Sequence, residues 1–312
     1  MRFRQFEIFH AIMTHGSVSA AAERLGVSQP SVTKTLQQLE DDLGYLLFDR
    51  VRGRLQPTEE ARVLMVEAVR TQAALDDLRD LSKRLQHGAD SHLRLVATPA
   101  LGHEVLPEAA TAFSGKNPSV RMTISTLHSG ALLSEIGKPA YGYDIGFVFD
   151  ASSRPASVGA RQIGTVPIAA IARKGDLDRG GSGIVIDDLV GRSLIGLDES
   201  EPLGKLVADL SRTAGLTIDT PVRVQTYRLA CAMARLGSGI AIVDSMTAAS
   251  FVRNNPDVDV RRFPESLDMP VNVVFPLARG LPVRSRDFVR KFEAALTAQV
   301  ELFDAELKKR AR

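Results

Sequence analysis

The spacing of apolar residues changes twice along the chain, and each change predicts a different kind of element. In the first 60 residues it is helical. Val32, Leu36 and Leu39 recur at four and three, which buries one face of a helix and turns Gln29, Ser31, Thr33, Lys34, Thr35 and Gln38 outward. Ahead of it, Ala20, Ala21, Ala22 and Leu25 make a short helix that Ser17 or Ser19 can cap, and Gly26 supplies a tight turn. Ser28 can cap the second helix, with Pro30 in its first turn, where a missing N–H costs nothing. Gly44 opens a short apolar run to Phe48, and residues 49–58 read as a basic loop carrying Arg50, Arg52 and Arg54, with Gly53 at its tip.

From Thr58 to His87 there is neither glycine nor proline, and Ala61, Leu64, Ala68, Thr71, Leu75, Leu78, Ser82 and Leu85 repeat every seven residues. That pattern predicts one helix on the order of 45 Å long that pairs with a second copy as a coiled coil. Residues 87–91 read as its stop and a hinge. Beyond them the period alternates, with strands predicted at 93–97, 120–125, 144–149, 168–172, 194–197, 222–225, 239–243, 258–262 and 270–276. Helices fall between them, including one over 106–113, one over 129–136 and a last from 286 to 309. Alternation of this kind predicts open, mostly parallel sheets covered on both faces, here in two small α/β subdomains.

Two short helices about a glycine, with a polar face on the second, suit either a plain helical hairpin or a helix-turn-helix that enters the major groove. The arginine loop favours the second, because guanidinium groups there match phosphates or a minor groove. Net charge is only +2, and residues 1–60 carry seven Arg or Lys against eight Asp or Glu, so the local cluster has to do the steering. No apolar run approaches the roughly 18 residues of a membrane span, and the N-terminus lacks the apolar core of a signal peptide; the expected location is the cytoplasm, away from membranes. The single cysteine, Cys231, excludes an internal disulfide and reads as a buried small hydrophobe or a redox sensor. The six histidines lack metal-ligand spacing and no Gly-x-Ser-x-Gly elbow is present, so neither a catalytic centre, a metal nor a cofactor is expected.

The pattern Phe6, Phe9, Gly16-Ser17, Ala20-Ala21, Leu25, Ser28 to Lys34, Leu39-Glu40, Leu43-Gly44, Leu47 to Arg50 and Pro57-Thr58 resembles the N-terminal domain of LysR-type transcriptional regulators. Residues 50–55 also resemble those of the regulator of lysine biosynthesis and its amino-acid-responsive and opine-responsive relatives. Lys34 departs from a frequent arginine, which keeps the charge and loses the bidentate fork. The resemblance implies an N-terminal all-α winged helix-turn-helix (1–58), a long linker helix for dimerisation (59–88) and an α/β periplasmic-binding-protein-like effector domain (89–312). That domain would have two lobes, 93–165 with 269–312, and 166–268. It further implies that double-stranded DNA is bound by Ser17, Ser28, Gln29, Pro30, Ser31, Thr33, Lys34, Thr35, Gln38, Arg50, Arg52 and Arg54. A dimer of dimers, RNA polymerase as a partner and control by a small-molecule effector complete the implied picture.

Ligands of open α/β sheets sit beyond the carboxyl ends of strands, against helix N-termini. The strand ends here are Thr98-Pro99-Ala100-Leu101, Leu127-His128-Ser129-Gly130 and Asp198-Glu199-Ser200, and the second-lobe candidates are the loop 198–203 and Gln225-Thr226-Tyr227. Thr98, Ala100 and Leu101 match the family's first effector loop, where Ala100 replaces a frequent hydroxyl residue. Helix N-termini mixed with Asp198, Glu199, and Asp150 or Asp244, suit a zwitterion such as an amino acid or an opine. The same acids equally suit simple capping of the helices that follow them.

Overall fold

Three short helices open the chain in the computed structural model: α1 (Phe3–His15), α2 (Val18–Leu25) and α3 (Gln29–Leu43). The structure describes residues 1–51, 54–69, 71, 72, 75, 92–138, 142–177 and 183–310; of Arg50, Val51, Arg54 and Glu265 only the backbone is described. The chain divides into two units, Met1–Leu85 and Gln86–Arg312.

In the first unit Phe6, Ile8, Phe9 and Ile12 of α1 meet Ala21, Ala22, Val32, Leu36 and Leu39 of the next two helices in one core. Burying each large apolar side chain is worth about 1.5–3 kcal/mol, which suffices to fix three helices too short to stand alone. Strands β1 (Phe48–Val51) and β2 (Arg54–Pro57) pair antiparallel as the wing, Phe48 opposite Pro57. Thr58 closes the wing: its hydroxyl donates to the carbonyls of Leu46 and Leu47 and accepts from Ala61 N, starting helix α4, described at 59–69, 71, 72 and 75. The stripe assigned to a partner helix is partly used at home. Ala61 and Ala68 are buried in this unit's own core, with Leu64 and Leu75 packed against it, because Thr58 launches α4 directly from the wing. The large apolar residues exposed on the described part of α4 are Val63, Val66 and Val69. The predicted continuation of this helix to 87 and the hinge at 87–91 lie outside the described residues.

The second unit contains two five-stranded sheets. One is ordered β4-β3-β5-β12-β6, from β3 (His92–Ala97), β4 (Arg121–Thr126), β5 (Ile145–Phe149), β6 (Val158–Val166) and β12 (Met269–Pro276). The other is ordered β11-β7-β10-β8-β9, from β7 (Ile168–Arg173), β8 (Ser193–Leu197), β9 (Asp219–Val224), β10 (Ile240–Asp244) and β11 (Val258–Arg262). Pairings among β3, β4 and β5, and among β8, β9 and β10, are parallel. Those that involve β6, β7, β11 and β12 are antiparallel, so the sheets are mixed rather than mostly parallel. The reason is topological. β6 runs through Pro167 straight into β7 of the other sheet, and β11 returns through 263–268 to β12, so β7 in one sheet and β12 in the other run against the remaining four strands.

Helices α5 (Pro99–Glu104) and α6 (Leu106–Ser114) follow β3, α7 (Ser129–Gly137) follows β4, and α8 (Pro202–Thr213), α9 (Tyr227–Arg235) and α10 (Ser245–Arg253) belong to the second lobe. α5 and α6 are separate because Val105 departs from helical geometry just ahead of Pro107, which has no N–H to offer. The last helix, α11 (Val283–Arg310), lies on the first sheet, where Phe292 stacks on Phe147 at 3.7 Å and Phe288 meets Phe113 edge-on. Among the described residues no helix is long and apolar enough to cross a membrane.

β10 ends in Asp244, which is fully buried and caps α10: its carboxylate accepts from Met246 N (3.0 Å), Thr247 N (2.9 Å) and the Thr247 hydroxyl (2.6 Å). Burial pushes its pKa up to about 6 in spite of these bonds. The charge therefore destabilises the folded state as pH rises from about 4 to 6, since there the folded protein holds a proton that the unfolded chain has lost. Asp244→Asn keeps an acceptor and removes the charge. We expect the melting temperature of wild type relative to the variant to fall across this pH window, measured by calorimetry; parallel profiles would contradict the assignment.

Candidate functional site: nucleic-acid interface and ligand cleft

The tight turn between α2 and α3 is held by Gly26, at φ 65°, with Gly26 N and Val27 N donating to the carbonyls of Glu23 and Ala22. An L side chain is strained there, and glycine is not. Ser17 is spent on its own helix, its hydroxyl accepting from Ala20 N at 3.1 Å. Ser28 stands at the cap of α3 without using its side chain: the expected capping bond is not made, and only its carbonyl serves the first turn. The exposed serine hydroxyl is thereby left to an outside partner. Gln29, Pro30, Ser31, Lys34 and Gln38 are exposed along α3; Thr33 and Thr35 are half-buried, their hydroxyls donating to Gln29 and Ser31 carbonyls. Arg52 lies outside the described residues, as do the side chains of Arg50 and Arg54 on the wing.

Two acids of this unit are engaged by its own donors. Glu40 accepts from Leu47 N at 2.8 Å and Phe48 N at 3.2 Å, fixing the wing against α3, and Asp42 accepts from the buried Gln5 at 2.8 Å. The near-zero charge balance of the segment thus conceals a polar face kept clear of those two carboxylates.

In the second unit the ends of β3, β4, β5, β8 and β10 meet where the two lobes face each other. Thr98 is buried at the end of β3, and its hydroxyl has no hydrogen-bond partner among the described residues. Pro99 and Ala100 are half-buried and Leu101 is buried, packing under α5. At the end of β4, Ser129 and His128 bind the carboxylate of Glu201, which comes from the other lobe. A second link crosses nearby: Arg228 of α9 donates to Glu104 of α5. Between them Tyr227 packs on Phe149, ring centroids 6.2 Å apart, and burial, then the Asp244 and Glu201 carboxylates, hold its phenol well above the ordinary range, so it stays neutral.

A cavity of about 200 Å³ adjoins this clasp and draws on both lobes: Ser129, Ser134, Asp150 and Ser153 from the first, Ser200, Glu201 and Lys205 from the second. Larger cavities, about 650 and 370 Å³, lie within the second lobe and its junction with α11 and collect no donors from the strand ends of both lobes. Asp150, at φ 39°, is the sole non-glycine residue with positive φ among the described residues, and its carboxylate binds Ser152 N and Oγ.

The structure separates the expected ligand residues. Thr98, His128, Ser129 and Ser200 lie at the interlobe face. Asp198 turns onto Ser200, whose N–H and hydroxyl lower its pKa, and Glu199 pairs with Arg223 at 3.1 Å. Thr226 caps α9 and the buried Asp244 caps α10. Glu201 and Tyr227 fall within the expected second-lobe segments without having been singled out, and Arg228 and Lys205 lie outside them. The available signal was the acid immediately before Pro202, which puts a carboxylate at a helix start that faces the other lobe. Cys231 is fully buried and burial pushes its thiol up, which suits the small-hydrophobe reading.

Residues 3–62 match the family described as bacterial regulatory helix-turn-helix protein, lysR family, and residues 86–297 the one described as LysR substrate binding domain. The chain is 34% identical over 248 residues to the HTH-type transcriptional regulator DgcR of a Pseudoalteromonas species, covering 80% of this chain and 84% of that one. It is 28% identical over 305 residues to the transcriptional activator protein LysR of Escherichia coli (strain K12), covering 98% and 96%. Its fold is similar to that of full-length CbnR in complex with target DNA, at a TM-score of 0.69 and 21% identity over 95% of this chain and 100% of the other.

The roles on α3 are separable by titration with DNA. Gln29→Ala is expected to weaken binding to a selected site by about 1–3 kcal/mol while sparing random-sequence DNA, as loss of a base contact does. Lys34→Ala should weaken both and lower the salt slope by about one. Equal losses from both variants on both DNAs would contradict this division.

Proposed function

The chain belongs to the family of LysR-type transcriptional regulators, and on that premise we propose that its interlobe cleft senses a small zwitterion of the amino-acid class. The protein is a DNA-binding regulator with a substrate-binding domain, not an enzyme. One observation carries the proposal: the cavity shared by the lobes has a cation, Lys205, and two acids, Asp150 and Glu201, set among serine hydroxyls. A carboxylate suits Lys205 and the first-turn amide of α7, and an ammonium group suits Asp150 and Glu201. A neutral or purely anionic ligand leaves one set of charges unmatched in a partly enclosed site.

The crossing segments supply the mechanics. Only Pro167 and 263–268 join the lobes covalently, and both are pinned, Ser245 N to the Pro167 carbonyl and Phe263 N to that of Ile168. Two strands crossing side by side form a hinge about which the lobes turn. A ligand shifts that equilibrium only by its difference in affinity for the two arrangements. In our reading the protein works in the cytoplasm as a dimer of dimers, α3 and the wing hold operator DNA, and the shift changes DNA bending and the approach of RNA polymerase.

Differential scanning fluorimetry against amino acids, opines and central-metabolism carboxylates tests the ligand class. We expect one zwitterion to raise the melting temperature, since ligand at a hundred times its Kd adds about 2.7 kcal/mol. A rise with dicarboxylates or uncharged compounds alone would contradict the proposal. Thr98→Val should abolish the rise. It should also leave the ligand-free protein as stable or more so, because it removes an unpartnered buried hydroxyl that costs about 1–3 kcal/mol.

A further inference from the structure

A carboxylate already sits where the ligand's carboxylate is expected. Glu201 stands just before α8, and its Oε1 lies 3.2 Å from Ser129 N and 3.1 Å from His128 Nδ1, while Oε2 accepts from Ser129 Oγ at 2.7 Å. Ser129 is only 4% exposed, so both its donors are directed at this one group. The start of α7 is therefore a built carboxylate cradle. A second group awaits a partner on the neighbouring strand end, the buried and unsatisfied Thr98 hydroxyl.

Glu201 is aimed rather than tethered. A Cβ on Gly204 would stand 2.2 Å from the Asp198 carbonyl oxygen, so glycine lets α8 begin hard against the 198–201 turn. Within the turn, Ser200 N donates to Asp198 Oδ1 and Glu201 N to the Asp198 carbonyl. The side chain of Glu201 is then only 13% exposed, and its charge is accommodated because the other lobe supplies the donors.

We propose that Glu201 is an internal stand-in for the ligand's carboxylate: it holds the lobes together through the His128–Ser129 cradle, and an incoming carboxylate displaces it, freeing it for the ligand's ammonium group. This deepens, and rests on, the reading of the cleft as a zwitterion site. The exchange selects monocarboxylates that carry a cation, since a second carboxylate would meet both Asp150 and the released Glu201. The Arg228–Glu104 link stays closed meanwhile, so the lobes reorient without parting.

Acetate is the minimal probe, titrated into the full-length protein and followed by fluorimetry. Glu201→Ala is expected to bind acetate at least about tenfold more tightly than wild type, because apparent affinity scales with the fraction of vacant cradle. Adding Ser129→Ala should remove that gain. In hydrogen exchange without ligand, the Ser129 amide should exchange faster in Glu201→Ala than in wild type, with β5 amides unchanged as the check on folding. Equal acetate affinity in wild type and Glu201→Ala, a gain that survives Ser129→Ala, or an unchanged Ser129 amide overturns the proposal. Acetate has no ammonium group, so these results stand or fall separately from the amino-acid panel.

Discussion

A buried carboxylate must find donors, and in this protein the one that matters finds them across a gap. Glu201 is fixed in one lobe by the tight turn before α8, and its hydrogen-bond partners belong to the other. The arrangement of the effector domain follows from that dependence. The lobes share two covalent crossings and an apolar seam in which α11 packs on α10; of the polar contacts at the cleft, the most buried is one that a ligand of the right chemistry can replace. Charge satisfaction thus sets both the resting position and the condition for leaving it.

The DNA-binding unit obeys the same rule with the opposite result. Glu40 is satisfied by the backbone of the wing and Asp42 by Gln5, and the stretch of α3 from Gln29 to Gln38 presents amides, hydroxyls and one cation. Thr58 then makes the wing and α4 mechanically continuous. Ala61 and Ala68 are committed to the local core, so the described part of α4 belongs to this unit, with Val63, Val66 and Val69 exposed.

Much of this was legible in the sequence where the physics is local. The Gly26 turn, the Ser17 cap and the buried face of Val32, Leu36 and Leu39 depend on neighbours within a few residues, and the LysR-like motif rests on these same positions. Strand β6 was not legible: Val158–Val166 carries Arg161, Gln162 and Thr165, lies at a sheet edge and is specified by its long pairing with β12. Helix α4 has an apolar repeat that suits a partner helix and its own domain equally, so periodicity could not assign its faces. In the loop that follows β8, Asp198 turns onto Ser200 and Glu199 onto Arg223, while Glu201 faces the other lobe. Only the fold shows that Glu201 meets Ser129, 72 positions away in the chain. Asp244 was one of two readings, cap or ligand, and its complete burial decides for the cap.

Ligand in the cleft is expected to change how the lobes sit relative to each other. Cys231 is the single cysteine and is fully buried, so spin labels on Lys116→Cys and Arg212→Cys, both exposed and one in each lobe, report that geometry selectively. Electron–electron double resonance on full-length protein diluted with unlabelled protomers should show one distance distribution without ligand. It should show a shifted one with the amino acid that raises the melting temperature. An identical distribution under conditions where that amino acid is bound would contradict a ligand-driven reorientation of the lobes.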